Sequence, residues 1–107
     1  MAMELNQANF TSAVQGPMTL VDFWAPWCGP CKMMEPVLAQ LEQEFSGRVK
    51  FAKLNVDQNQ ELAQQYHVLG LPSYVLFVNG TGVEKVTGVY SKEKLAHYLN
   101  RKLAANK

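Results

Sequence analysis

The chain has 107 residues, 48% of them hydrophobic, with ten Lys and Arg against nine Asp and Glu and a net charge of +1. That is the size of one domain spanning residues 1–107 and enough apolar material for a core, so neither a disordered chain nor a nucleic-acid surface is expected. Residues 1–7 have no basic start followed by an apolar stretch, and no run could span a membrane; the expectation is a cytoplasmic protein without a signal peptide or a membrane partner.

In chain order, residues 6–15 read as a short helix with Phe10 and Val14 on one face, stopped by Gly16-Pro17. Residues 18–24 form an apolar strand, which Ala25-Pro26 ends. Residues 28–45 show helical spacing through Met34, Val37, Leu38, Leu41 and Phe45. Pro30 suits the first turn of that helix, and the interior Pro36 predicts a kink. Residues 48–56 read as a strand, and residues 57–66 as a helix with Leu62, Ala63 and Tyr66 inward. A strand at 73–78 runs into a hairpin signal, Asn79-Gly80 with Thr81-Gly82, and returns over 83–89. Ser91 can cap a last helix whose apolar face is Leu95, Tyr98, Leu99 and Leu103; Lys94 stands where a capping box would place Glu. Crossovers through helices followed by a hairpin imply an α/β fold, a central mixed sheet flanked by helices on both faces.

The chain's two cysteines both lie in Trp27-Cys28-Gly29-Pro30-Cys31, at the junction of a strand and a helix. A Cys-x-x-Cys pair in that context reads as a redox motif. Residues three apart on a helix are about 5–6 Å apart at the β-carbons, so a tightened first turn brings two sulfurs within bonding reach. The free N–H groups and positive dipole end at the helix start favour a thiolate. Cys28, first in the motif, is therefore the expected attacking thiol, and Cys31 the thiol that resolves the mixed disulfide. Three alternatives compete. A structural disulfide over so short a link restricts the unfolded chain very little. Half of a zinc site lacks its partners, because His67 and His97 lie far along the chain with no second paired motif. The third is a pair of inert buried cysteines.

Residues 21–32, Val-Asp-Phe-Trp-Ala-Pro-Trp-Cys-Gly-Pro-Cys-Lys, resemble the active-site signature of the thioredoxin family. Pro36, the run from Lys53 to Asp57, Gly70-Leu71-Pro72-Ser73, Phe77, Asn79-Gly80 and Gly88 extend the resemblance along nearly the whole chain. It implies the thioredoxin fold and a monomeric protein-disulfide reductase. No cofactor is bound, since the Cys28–Cys31 dithiol itself carries two electrons. Thioredoxin reductase and NADPH stand upstream, and clients such as ribonucleotide reductase, peroxiredoxins or methionine sulfoxide reductase downstream.

The resemblance also assigns supporting roles. Asp22 becomes a proton acceptor for Cys31, through water, and Lys53 the lysine that tunes it. From the residues alone, strand alternation could equally point Asp22 to solvent, and Lys53 could be an ordinary surface lysine. Pro72 is implied to follow a cis bond facing the disulfide, although trans is the commoner state. Trp27, Gly29, Pro30, Leu71, Pro72, Gly88 and Val89 would form a flat apolar client-docking patch, with the Leu71 backbone offered for strand addition. Trp24 reads as core, and His67 and His97 as polar surface. Three departures stand out: a short first strand near residues 2–5, Leu69 in place of a charged or polar residue, and Ser73-Tyr74 in place of Thr followed by an aliphatic residue or Phe. The last two lie beside the implied client surface. An oxidant or isomerase on the same fold, and a binding module with an incidental dithiol, are the rival functions. Gly29-Pro30 resembles the reducing members, and serine at both cysteines would leave a mere module's role intact.

Overall fold

Apolar runs and amphipathic stretches resolve, in a computed structural model that describes residues 2–106, into β1 (Met3–Leu5), α1 (Phe10–Ala13), β2 (Thr19–Trp24), α2 (Gly29–Glu44), β3 (Lys50–Asn55), α3 (Gln60–Gln65), β4 (Ser73–Val78), β5 (Thr81–Thr87) and α4 (Lys92–Ala105). The strand order is β1-β3-β2-β4-β5. β1 and β2 flank β3 in parallel, while β4 joins β2 and β5 antiparallel. The architecture is the α/β one expected, a mixed sheet with helices on both faces.

Period-two alternation sorts the side chains of β2 between two cores. Val21 and Phe23 join Phe10, Leu54, Leu62 and Phe77 beneath α1 and α3. Leu20 joins Met34, Leu41, Phe51, Tyr74 and Leu99 beneath α2 and α4. Asp22 alternates with Val21 and Phe23 and therefore takes the α2 side, only partly covered. With neighbours on both sides, β2 is the central strand, and the Cys-x-x-Cys segment grows from its carboxyl end.

Local chemistry explains the boundaries. Pro36 lies inside α2, which runs on to Glu44. Ahead of α1, Asn6 Oδ1 accepts from the backbone of Ala8 and Asn9, while Asn9 Oδ1 accepts from Asn6. That reciprocal capping closes the turn from which the Phe10 N–H bonds back to the Asn6 carbonyl. The start of α3 falls later than expected, since Asn55 Oδ1 takes the Asp57 N–H and gives the backbone an alternative to the helix. The hairpin turns on Asn79 and Gly80 alone, with φ of 51° and 88°, the positive values that a two-residue turn of this kind needs. β5 therefore begins at Thr81, earlier than expected, and an irregularity opposite Leu76 and Phe77 absorbs Val83. Ser91 Oγ caps α4 by accepting from the Lys94 N–H at 3.1 Å.

Candidate active site

Beyond Trp24 the chain turns sharply, with the Cys28 N–H bonded to the Ala25 carbonyl at 3.1 Å. Cys28 is extended, φ −88° and ψ 105°, and is the N-cap of α2, with proline in the opening turn. Its Sγ accepts a hydrogen bond from the Cys31 N–H at 3.1 Å. Cys28 and Cys31 are joined as a disulfide with Cα atoms 5.3 Å apart, inside the usual span for such bonds. The two cysteines are 4% and 5% exposed, so accessibility does not tell them apart. The N-cap does: on reduction, the Cys28 sulfur faces donors and the positive end of the dipole, which stabilise a thiolate.

Asp22 and Cys31 line one cavity of about 440 Å³, together with Trp24, Glu35, Lys53 and Glu4. Burial pushes the Asp22 carboxyl up to about 7. The Lys53 ammonium pulls the other way, and Glu4 and Glu35 push in the same direction as burial. Asp22 Oδ1 is buried with no hydrogen-bond partner. Lys53 is the register partner of Asp22 on β3, and its Nζ sits 5.1 Å from the centre of the Trp24 ring. A carboxyl held near neutrality and sharing a cavity with Cys31 can take a proton at the pH where thiol exchange runs.

Around the disulfide the surface is apolar. Trp27 is 70% exposed, and its indole Nε1 donates to Asp57 Oδ2 at 3.0 Å. Gly29 and Pro30 are exposed, as is Val89. Leu71 packs against the disulfide cluster, and the Leu71–Pro72 bond is cis. Pro72 itself is buried and carries the patch from beneath. Its carbonyl accepts the Gly88 N–H at 2.9 Å, and Gly88 has a φ of 117°, so this position favours glycine for its backbone.

Some expectations shift. Trp24 packs against the buried cluster of Ala25, Cys28 and Cys31 but also lines the cavity, and its Nε1 donates to Glu4 Oε2 at 3.4 Å. Leu69 is almost fully exposed. Ser73 and Tyr74 are buried, with Ser73 Oγ donating to the Gly70 carbonyl at 2.6 Å, so neither presents a side chain to a client. Asp57, Glu4 and Glu35 were not singled out as site residues. Asp57 lies 30 residues from Trp27, and no spacing rule links the two. Glu4 reaches Asp22 through the register of β1, β3 and β2, and Glu35 from α2 across the shared cavity. Among the described residues, no group of three His, Cys, Asp or Glu could hold a metal ion, and no helix is long and apolar enough to cross a membrane.

The sequence profile of the thioredoxin family matches residues 1–101. Thioredoxin of Staphylococcus aureus is 43% identical over 101 residues, covering 94% of this chain and 97% of its own. A solved structure of a thioredoxin point mutant from Halobacterium salinarum NRC-1 superposes with a TM-score of 0.85 at 35% identity, over 94% of this chain and 88% of that one.

Proposed function

Given that the chain belongs to the thioredoxin family and is a thiol–disulfide oxidoreductase, we propose that it works as a protein-disulfide reductase in which Cys28 attacks and Cys31 resolves. The observation that carries the assignment is the hydrogen bond from the Cys31 N–H to Cys28 Sγ at the N-cap of α2. The Cys28 thiolate attacks one sulfur of a client disulfide, and a client thiolate leaves. Cys31 then gives its proton to the Asp22 carboxylate and attacks Cys28 Sγ. The second client thiolate departs, and the Cys28–Cys31 disulfide is left. Two electrons have passed to the client without a bound cofactor.

Lys53 tunes Asp22, whose ammonium partner keeps enough of the carboxylate ionised to act as a base. Trp27, Gly29, Pro30, Leu71, Pro72 and Gly88 form the docking face, Pro72 and the Gly88 N–H by holding the Leu71 backbone in place for an extended client segment. Residues 1–107 act as one domain and a monomer. The oxidised form is recycled by thioredoxin reductase at the expense of NADPH in the cytoplasm. Ribonucleotide reductase, peroxiredoxin and methionine sulfoxide reductase are fitting clients, since each must have its own disulfide reduced. Insulin reduction with dithiothreitol as the electron source tests the reading: the protein accelerates precipitation and Cys28→Ser does not. Equal rates for the two would refute it.

A further inference from the structure

Two polar atoms without hydrogen-bond partners lie on opposed residues of the central strands. Asp22 on β2 and Tyr74 on β4 are register partners in an antiparallel pair, and opposed side chains share one face of a sheet, with β-carbons about 4.5–5.5 Å apart. Tyr74 is 1% exposed, packed among Leu20, Met34 and Leu99 beneath α2 and α4. Its hydroxyl and Asp22 Oδ1 are both buried without a partner. A phenol hydroxyl in an apolar core is costly unless bonded, and phenylalanine would fill nearly the same space without that cost. The one acceptor side chain directly across the ladder is the Asp22 carboxyl.

We infer that Tyr74 is a positioning residue for the Asp22 proton: its hydroxyl donates to the carboxylate when Asp22 is ionised, directly or through one bridging water, and holds the protonated carboxyl more weakly. The inference rests on the reading of Asp22 as the proton acceptor for Cys31. The other charged groups around Asp22 come from three neighbouring elements, Lys53 on β3, Glu4 on β1 and Glu35 on α2, with Lys32 and Glu42 of α2 lining the same cavity; β4 carries no charged residue. Lys53 favours the ionised carboxylate by charge, while Glu4 and Glu35 oppose it. Tyr74 adds a directional bond that the ionised form accepts more strongly than the protonated one. Tyr90 is the other titratable group near the Tyr74 phenol, and its hydroxyl is engaged on the Thr87 carbonyl at 2.7 Å.

Tyr74→Phe removes one oxygen and keeps the ring. In the oxidised protein the cysteines do not titrate, so the carbon-13 shift of the Asp22 carboxyl reports that group directly. A lost hydrogen bond to a charged group corresponds to a rise of about one pH unit in the Asp22 midpoint. The rate of mixed-disulfide resolution should move to higher pH by the same amount and recover in alkaline buffer. Tyr90→Phe should move neither. A midpoint in Tyr74→Phe that is unchanged or lower overturns the inference, whatever happens to stability. Asp22→Asn separates the two readings: if resolution does not slow in that variant, Asp22 is not the acceptor, whereas slowing there with an unmoved midpoint in Tyr74→Phe defeats the Tyr74 inference alone.

Discussion

Asp22→Asn should make the protein more stable and slower at once. Burial raises the folded-state value of this carboxyl from 3.8 to about 7. Below the unfolded value both states are protonated and the carboxyl costs nothing extra. As pH rises, the unfolded chain loses its proton first, so stability falls between about pH 4 and pH 7 and stays low above that window. The full shift corresponds to about 4 kcal/mol, and partial exposure of the side chain reduces the expected penalty to about 2–3 kcal/mol. Asparagine keeps the shape and carries no charge. Urea melts of the oxidised proteins should therefore coincide near pH 4, and at pH 8 the variant's midpoint should be higher by roughly 1–2 M. Client turnover at neutral pH should drop in the same variant while the Cys28–Cys31 bond still forms. A stability gap that is the same at every pH, or an asparagine variant less stable at pH 8, would refute the view of Asp22 as a strained carboxyl awaiting a proton.

Brief alkylation of the reduced protein at neutral pH should label Cys28 before Cys31, as peptide mapping will show; preferential labelling of Cys31 reverses the roles. Cys31→Ser should accumulate mixed disulfides with clients on Cys28, visible on non-reducing gels, and capture no greater than that of the double serine variant contradicts the two-step mechanism. Lys53→Met should raise the Asp22 midpoint further, because the ammonium now lowers it; a carbon-13 titration that moves downward disproves the pairing. Gly88→Ala forces a side chain into a φ of 117° and should cost about 1–3 kcal/mol in a denaturant melt, with weaker client turnover; an unchanged melt would mean that the loop relaxes freely.

Where one physical effect dominated, the sequence was legible. The strand at Ser73–Val78 falls on the expected residues because an uninterrupted apolar run is bounded by Pro72 and Asn79-Gly80. The Ser91 cap and the cysteine-bearing helix start follow from single residues with strong positional preferences. The start of α3 falls later than expected where the Asn55 side chain competes with the helix. Trp24 is legible only in part, because alternation gives a direction and not the depth of what lies there; one side of it packs against Ala25, Cys28 and Cys31, and the rest meets a cavity and the Glu4 carboxylate. Cys28, Cys31 and Asp22 lie within one strand–turn–helix and could be found together. Glu4, Glu35 and Asp57 join them only through strand register and tertiary approach, which no local pattern encodes.

An exposed tryptophan ordinarily samples several rotamers, and a partner that grips it must first restrict them, at roughly 0.5–1.5 kcal/mol for an immobilised side chain. Here the Asp57 carboxylate, accepting from the Trp27 indole at 3.0 Å, has already confined the ring while leaving its face in water. Conformational freedom lost during folding need not be lost again at each encounter. On the proposed reading, in which disulfide clients dock on this face, that order of events lets a stiff surface hold a client for exchange without depending on close shape agreement with it.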